Sequence, residues 1–383
     1  MEEIIRNSKP YEIMLAGVLL VSLLIQLYYY LGVFLKVALY KKDDGKLTEN
    51  NEKPPVSVII CARNEESNLE HFLPRVLEQK YPESFEVIVV NDCSKDNSEV
   101  VLDNLQKKYP QLRVTTIKED EKFTHSKKLA LTVGIKAAKY DWLLLTDADC
   151  IPQTDTWLAS MASNFKSGVE VVLGYGGYLS EKGLLNRLIR FDTMFIAMNY
   201  LGLALTGKPY MGVGRNLAYR RQLFFKNRGF ASHSKLDSGD DDLFVREVAS
   251  KNNTVVEYSH NSHTRSAPRK TYAAWYRQKR RHVSTSPYYS TGIKILLALE
   301  PLSRFCFFVS SIALIAMLYY PYIFLSVIIF RLILQLFVVK AVMKRLNEKK
   351  ILLTSLLWDF YSLYFYGKLL LSNSLSRKKP KWR

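Results

Sequence analysis

Three leucines and a threonine (143–146) run directly into two carboxylates, Asp147 and Asp149, separated by one small residue in LLLTDADC. Two such anions repel unless a positive charge lies between them. Carboxylate oxygens suit Mg²⁺ or Mn²⁺, hard cations that bind through one or two carboxylates together with substrate phosphates. Alternate residues of an extended chain point the same way, so the two acids can share one ligand while Ala148 packs behind. A second acidic group, Asp240-Asp241-Asp242 in SGDDDLF, opens a predicted helix. One acid there would serve as a cap; three exceed what a cap needs. MGVGRNLAYRR (211–221) reads as a Gly-rich turn into a strand, either a plain tight turn or a close backbone approach to a substrate. Basic groups recur at Lys127 and Lys128 in HSKKLAL and across QKRRH (278–282).

The whole chain limits what that chemistry can serve. Its 383 residues suffice for one large or two ordinary domains. With 54 Lys+Arg against 36 Asp+Glu the formal charge is +18, which calls for an anionic partner. Nucleic acid, an anionic membrane surface and a phosphorylated substrate all satisfy that. Cys61, Cys93, Cys150 and Cys306 form no CxxC, and the histidines add no zinc-ligand spacing. They read as reduced thiols, which excludes a secreted disulfide scaffold.

Residues 11–40 hold about 20 consecutive uncharged positions, enough to span a bilayer, with tyrosines toward the interfacial end. A cleaved signal peptide competes with that reading. The length, the acidic start (Glu2, Glu3) and the lack of a small-residue cleavage site favour a retained anchor over 1–46. Lys36, Lys41, Lys42 and Lys46 then put the following chain in the cytoplasm. A second apolar zone, 295–375, divides at Tyr319-Tyr320-Pro321 into a hairpin with spans near 302–320 and 322–342. Arg331 inside the second span must face another helix or a head group. A last piece, 351–373, carries Asp359 and Lys368 before the basic tail SRKKPKWR. It either crosses or lies in the interface, so three and four spans both stay open.

Between the apolar zones lies a block over 53–290. VSVIICA (56–62), FEVIVVND (85–92), RVTTIKE (113–119) and DWLLLTDAD (141–149) read as buried strands. Helical patterns at 66–79, 96–108 and 126–139 separate them, the mark of a parallel sheet covered on both faces. Ligands of such sheets sit outside the carboxyl ends of the strands. Those ends carry Arg63-Asn64-Glu65, Asn91-Asp92 and Asp147/Asp149. No GxGxxG follows the first strand and no GxxxxGK[ST] occurs, which argues against dinucleotide and P-loop chemistry. Residues 183–207, apolar with Arg187, Arg190 and Asp192, suit an amphipathic helix lying on the membrane, with a core helix the plainer alternative.

Taken in order, PPVSVIICARNEE, VIVVNDCSKDNS, SKKLALTVGI, LLLTDADC, GVGRNLAYRR, SGDDDLF and QKRRH resemble an inverting, membrane-bound family 2 glycosyltransferase of the integral-membrane branch that includes polysaccharide synthases and ceramide glucosyltransferases. The likeness covers 54–283 and implies an α/β GT-A nucleotide-sugar-binding domain flanked by transmembrane helices. It implies a nucleoside-diphosphate sugar as donor, a UDP-sugar foremost, a lipid or glycan acceptor, a membrane partner and no nucleic acid. Mg²⁺ or Mn²⁺ would sit on Asp149 and Asp147. Asn64 and Glu65 would lie against the nucleoside and Asp92 would hydrogen-bond the base, where helix capping and an Asx turn are the plainer alternatives. Lys127, or Lys128 in its place, and Arg281 would face the diphosphate. Asp240 would be the catalytic base, with Asp241 the runner-up. Gly214, Asn216 and Gln278 fall on the acceptor side.

One departure from the family pattern matters: His282 stands where QxxRW has tryptophan. That puts in doubt the acceptor-sugar platform of the processive synthases and favours single transfer to a lipid or lipid-linked acceptor at a multi-pass cell-membrane enzyme. A processive polysaccharide synthase is the nearest alternative. A sugar nucleotidyltransferase would need a Gly-rich basic loop after the first strand, and CARNEES has none. A basic, membrane-anchored binder of anionic polymer would leave the acids at the strand ends without a task.

Overall fold

The structure, a computed structural model, describes residues 9–41, 53–118, 126–236 and 238–375. Lys42, Lys46, the end of the third predicted strand at Glu119 and the basic tail lie outside the described residues. A helix, α1 (Pro10–Leu39), opens the chain and contains a π-helical stretch at Tyr28–Phe34. Then come β1 (Val56–Ala62), α2 (Glu66–Leu77), β2 (Phe85–Asp92), α3 (Ser98–Lys108), β3 (Leu112–Ile117), α4 (Lys127–Ala137) and β4 (Trp142–Asp147). These match the alternation expected of buried strands and crossover helices.

The chain continues through β5 (Cys150–Pro152), α5 (Trp157–Ala162), β6 (Val171–Gly174), β7 (Gly176–Tyr178), α6 (Leu184–Leu205), β8 (Leu217–Arg220), α7 (Arg221–Lys226), α8 (Asp242–Val248), β9 (Thr254–Glu257) and β10 (Thr264–Ser266). Four helices close it: α9 (Tyr272–Val283), α10 (Thr291–Ala316), α11 (Pro321–Arg345) and α12 (Thr354–Leu375).

The main sheet has the order β3-β2-β1-β4-β8-β6-β9. The first four strands are parallel, whereas β8 runs antiparallel to both β4 and β6. All seven residues of β1 are buried, because both faces of the sheet are covered. Ile59, Cys61, Ile88 and Val90 pack on the face shared with α4 and α6. Val58, Ile60, Val87 and Val89 pack on the opposite face against α2, α3 and α5. A three-stranded sheet, β5-β10-β7, stands at the carboxyl edge, with Cys150 opposite Ser266. Nothing in the period-2 signal pointed to strands so short.

Among the described residues four helices, α1, α6, α10 and α11, are long and apolar enough to cross a membrane. One of them corrects an expectation. The apolar window of α6 is 72% buried inside the protein, so it is an interior helix rather than one lying on a surface. Two of its charges are paired internally, Arg190 with Glu348 at 2.5 Å and Asp192 with Lys279, while Arg187 is exposed. The close fit of α6 to α1 depends on Gly202, where a Cβ would come within 2.7 Å of the Val33 carbonyl oxygen.

Helices α1, α10, α11 and α12 share a buried polar cluster. Arg331 of α11 pairs with Asp359 of α12 at 2.5 Å, so it faces another helix. Asp359 also lies 3.4 Å from Arg304 of α10, and Gln26 of α1 accepts from Arg331 at 3.0 Å. The later part of α12 runs along α9.

Candidate active site

The carboxyl edge of the parallel strands brings together acids distant in sequence. Ser126 caps α4, its Oγ accepting from Leu129 N at 3.3 Å, and this launches Lys127 over the sheet edge. Lys127 Nζ lies 2.8 Å from Asp147 Oδ1 and 3.1 Å from Asp240 Oδ2. Burial works against its charge, but Asp147, Asp240 and Asp241 outweigh that and hold the ammonium well above its usual range. Lys128 points elsewhere: its Nζ donates to the carbonyls of His233 (2.6 Å) and Leu236 (2.9 Å), in the loop leading to the acidic triplet.

Those three acids differ. Gly239, at φ +103°, turns the chain in a conformation that favours glycine and presents Asp240 to Lys127. Burial would raise the Asp240 carboxyl, yet Lys127, with Arg281 adding its charge, brings it below the ordinary range. Asp241 accepts Gly214 N–H on Oδ2 and Asp242 N–H on Oδ1, both at 2.8 Å, so both its oxygens are tied to backbone. Burial and the neighbouring Asp240 and Asp242 charges push Asp241 up to about 7. Asp242 is buried and accepts from Thr285 (2.5 Å) and Tyr289 (2.7 Å).

Strand β4 ends at Asp147, so Ala148 and Asp149 form a turn rather than an extension of the strand. The two acids are nonetheless close: ligand atoms of Asp147, Asp149 and Cys150 lie within 4.8 Å of one another. Burial and the charge of Asp147 raise the Asp149 carboxyl, and the Arg215 and Arg269 charges offset that rise only in part. Burial also keeps the Cys150 thiol protonated, which leaves the two carboxylates as a hard donor set fitting Mg²⁺ or Mn²⁺.

On the first-strand side, Asn64 accepts Lys95 N–H at 2.7 Å and joins the loops after β1 and β2. Glu65 borders a cleft of about 310 Å³ with Asn64 and Asp96. Burial raises Glu65 to about 7, against the Asn68 hydrogen bond, with Asp149 and Asp147 adding to the rise. Asp92 is fully buried beside Arg63 (3.8 Å).

Gln278 donates to the Tyr178 hydroxyl at 3.2 Å. Arg281 is half-buried on the side facing Asp240, and His282 is exposed. Trp275 is no open platform; it is buried and stacks on Phe365 at 4.5 Å. Gly214 adjoins both Asp241 and Lys127, each 3.5 Å from where a Cβ would lie.

Asn216 is a correction. It is fully buried, donates to the carbonyls of Tyr175 (3.0 Å) and Ser262 (2.7 Å), and accepts Trp157 Nε1 at 3.1 Å. With these partners it braces the turn from within and meets no acceptor.

Sequence reasoning passed over Arg215, although it sits inside the quoted Gly-rich motif. Its guanidinium lies 4.6 Å from the Tyr178 ring centroid, and its charge opposes the rise of Asp149. Its carbonyl accepts from Thr146 (3.1 Å) and Thr264 (2.9 Å), tying the turn to β4 and β10.

A mostly parallel sheet with acids at its carboxyl edge defines a GT-A fold. The mannosyltransferase PcManGT from Pyrobaculum calidifontis, solved in complex with GDP-Man and Mn²⁺, has the same fold: TM-score 0.63, 19% identity, 96% of this chain and 99% of that one covered. Residues 57–226 match the Glycosyl transferase family 2 domain. The "Probable glycosyltransferase YdaM" of Bacillus subtilis is 27% identical over 281 residues, 70% of this chain and 64% of that protein. The poly-β-1,6-N-acetyl-D-glucosamine synthase of Staphylococcus aureus is 31% identical over 140 residues, 37% of this chain and 32% of the synthase.

Proposed function

We propose that the protein is an inverting glycosyltransferase that moves a sugar from a nucleoside-diphosphate sugar to a lipid or lipid-linked acceptor at the cytoplasmic face of a membrane. One observation carries the reading: a single ammonium, Lys127, spans Asp147 and Asp240, so the metal-type acids and the base-type acid border one space. Asp240, held ionised, accepts the proton of an acceptor hydroxyl as that oxygen bonds to the anomeric carbon. The bond from that carbon to the diphosphate breaks, and its negative charge is met by Lys127 and Arg281. A divalent cation held by Asp147 and Asp149 would supply further charge neutralisation to the leaving group. One carboxylate acting as base, with no covalent sugar intermediate, inverts the anomeric centre. Asp241, with both oxygens on backbone N–H groups, holds the Gly214 turn instead of acting as base.

The membrane setting rests on the three long apolar helices α1, α10 and α11, and the metal on the paired acids together with the Mn²⁺ that the Pyrobaculum enzyme holds. The test is a screen of radiolabelled UDP- and GDP-sugars with membranes containing the protein, with and without Mn²⁺ or Mg²⁺. Label should enter a single lipid-extractable product from one donor, and Asp149→Asn should abolish both the incorporation and its metal dependence. A ladder of products would favour a processive synthase, the activity named for the Staphylococcus relative. No incorporation from any donor would overturn the proposal.

A further inference from the structure

The helix carrying Gln278 and Arg281 has a second, inward face. On α9, Gln278 and Arg281 are three residues apart and share a side, while Lys279 lies roughly 100° from the first and 200° from the second. Lys279 is 5% exposed and pairs with Asp192 of α6, which is fully buried. Tyr366 of α12 donates to Asp192 Oδ1 at 2.6 Å.

Around this three-way contact, α12 follows α9 along most of its length. The Tyr361 hydroxyl donates to that of Tyr272 at 3.0 Å, and Trp275 stacks on Phe365 with ring planes 13° apart. Arg280 and Asn373 exchange two hydrogen bonds, each 3.1 Å. Stacked rings tolerate sliding and small rotations. A buried ammonium does not, because leaving its carboxylate costs several kcal/mol.

We propose that Lys279, held by Asp192 and Tyr366, is a positioning residue: it sets the rotation of α9 that turns Arg281 toward the diphosphate. The C-terminal helix α12 thereby completes the donor side of the active centre. This rests on the proposed role of Arg281, and the test keeps the two apart. The full chain in nanodiscs is titrated calorimetrically with UDP and with GDP in the presence of Mn²⁺. Arg281→Ala sets the reference loss.

The apolar triple Lys279→Met, Asp192→Leu, Tyr366→Phe removes every partner at once, so no charge is left buried and the fold should survive. It should melt within a few degrees of the wild type yet bind nucleotide about tenfold more weakly. Adding Arg281→Ala to it should cost nothing more, since a misdirected guanidinium has already been lost. Tyr366→Phe alone keeps the ion pair and should lose about two- to threefold, and it decides the matter should the triple not fold. A folded triple that binds as the wild type does, an unchanged Tyr366→Phe in the absence of a folded triple, or fully additive losses would overturn the positioning role alone. Normal binding by Arg281→Ala would overturn both that role and the donor contact it serves.

Discussion

Asp240, Asp241 and Asp242 are adjacent, but their neighbours divide the work. Asp240 faces Lys127, Asp241 holds two backbone N–H groups, and Asp242 takes hydroxyl hydrogen bonds from the segment after α9. Asp240→Asn should leave Mn²⁺-dependent UDP or GDP binding within about threefold while transfer falls about 100-fold or more, the scale of a general base. Asp241→Asn should lower the melting temperature and affect transfer less, because an amide can accept only one of the two N–H bonds on an oxygen. The reverse pattern of transfer rates would make Asp241 the base.

A pH test separates these acids further. The folded chain keeps a proton on Asp241 up to about 7, whereas an unfolded aspartate releases it near about 3.9. Between those values the folded state holds more protons, so its stability falls as pH rises through 7. Taken as the difference between the wild type and Asp241→Asn in the nucleotide-free protein, this contribution to the melting temperature should shrink between about pH 5.5 and pH 8, while His233 and His263, lowered by burial, pull the total the other way. Asp241→Asn should remove this part of the pH dependence and leave the parts due to Glu65, which is also raised to about 7, and to Asp149 and Asp242, which burial raises as well. Asp147 and Asp149 were legible because paired acids at a strand end have few structural uses. Asn216 was not, since an amide in a Gly-rich turn looks the same in sequence whether it faces a substrate or the core.

Among the elements, α6 carries the plainest packing constraint. Any side chain at Gly202 meets the Val33 carbonyl and Cγ1, each 2.7 Å from a Cβ, so Gly202→Leu must force α1 and α6 apart. Overpacking of this kind costs about 1–3 kcal/mol. The variant should show a lower melting temperature and less monodisperse protein by size exclusion. Gly292→Leu, where nothing lies within 4 Å, should behave as the wild type. The parallel strands could be read from their uninterrupted Val/Ile/Leu runs, which only a sheet covered on both faces requires. The same pattern logic misread α6, because an amphipathic helix gives no sign of whether its charges meet water or buried partners such as Glu348 and Lys279.

For the whole molecule, the polar cluster among α1, α10, α11 and α12 should govern stability. Asp359 is the shared partner of Arg304 and Arg331, so Asp359→Leu leaves two buried cations without it. Breaking such a pair costs about 3–5 kcal/mol, and the loss should appear as a large drop in melting temperature in nanodiscs. Replacing Arg331 and Asp359 together by Met and Leu, which leaves Arg304 paired with Glu300 at 3.3 Å, should recover most of it. A wild-type melting curve for Asp359→Leu would refute this account. That Arg331 must face another helix or a head group followed from its place in an apolar run. Which helix could not be read, because the pairing is set by three-dimensional packing between segments that each look self-sufficient.

The Arg331–Asp359 pair also sets a timetable for synthesis. With α11 embedded in a bilayer as proposed, its arginine emerges from the ribosome 28 residues ahead of its partner. At about 5–20 residues per second that is a wait of a few seconds. During that interval α11 is an incomplete client of the insertion machinery, and a nascent chain stalled before residue 359 should be cleared by membrane quality control rather than released as a shorter protein.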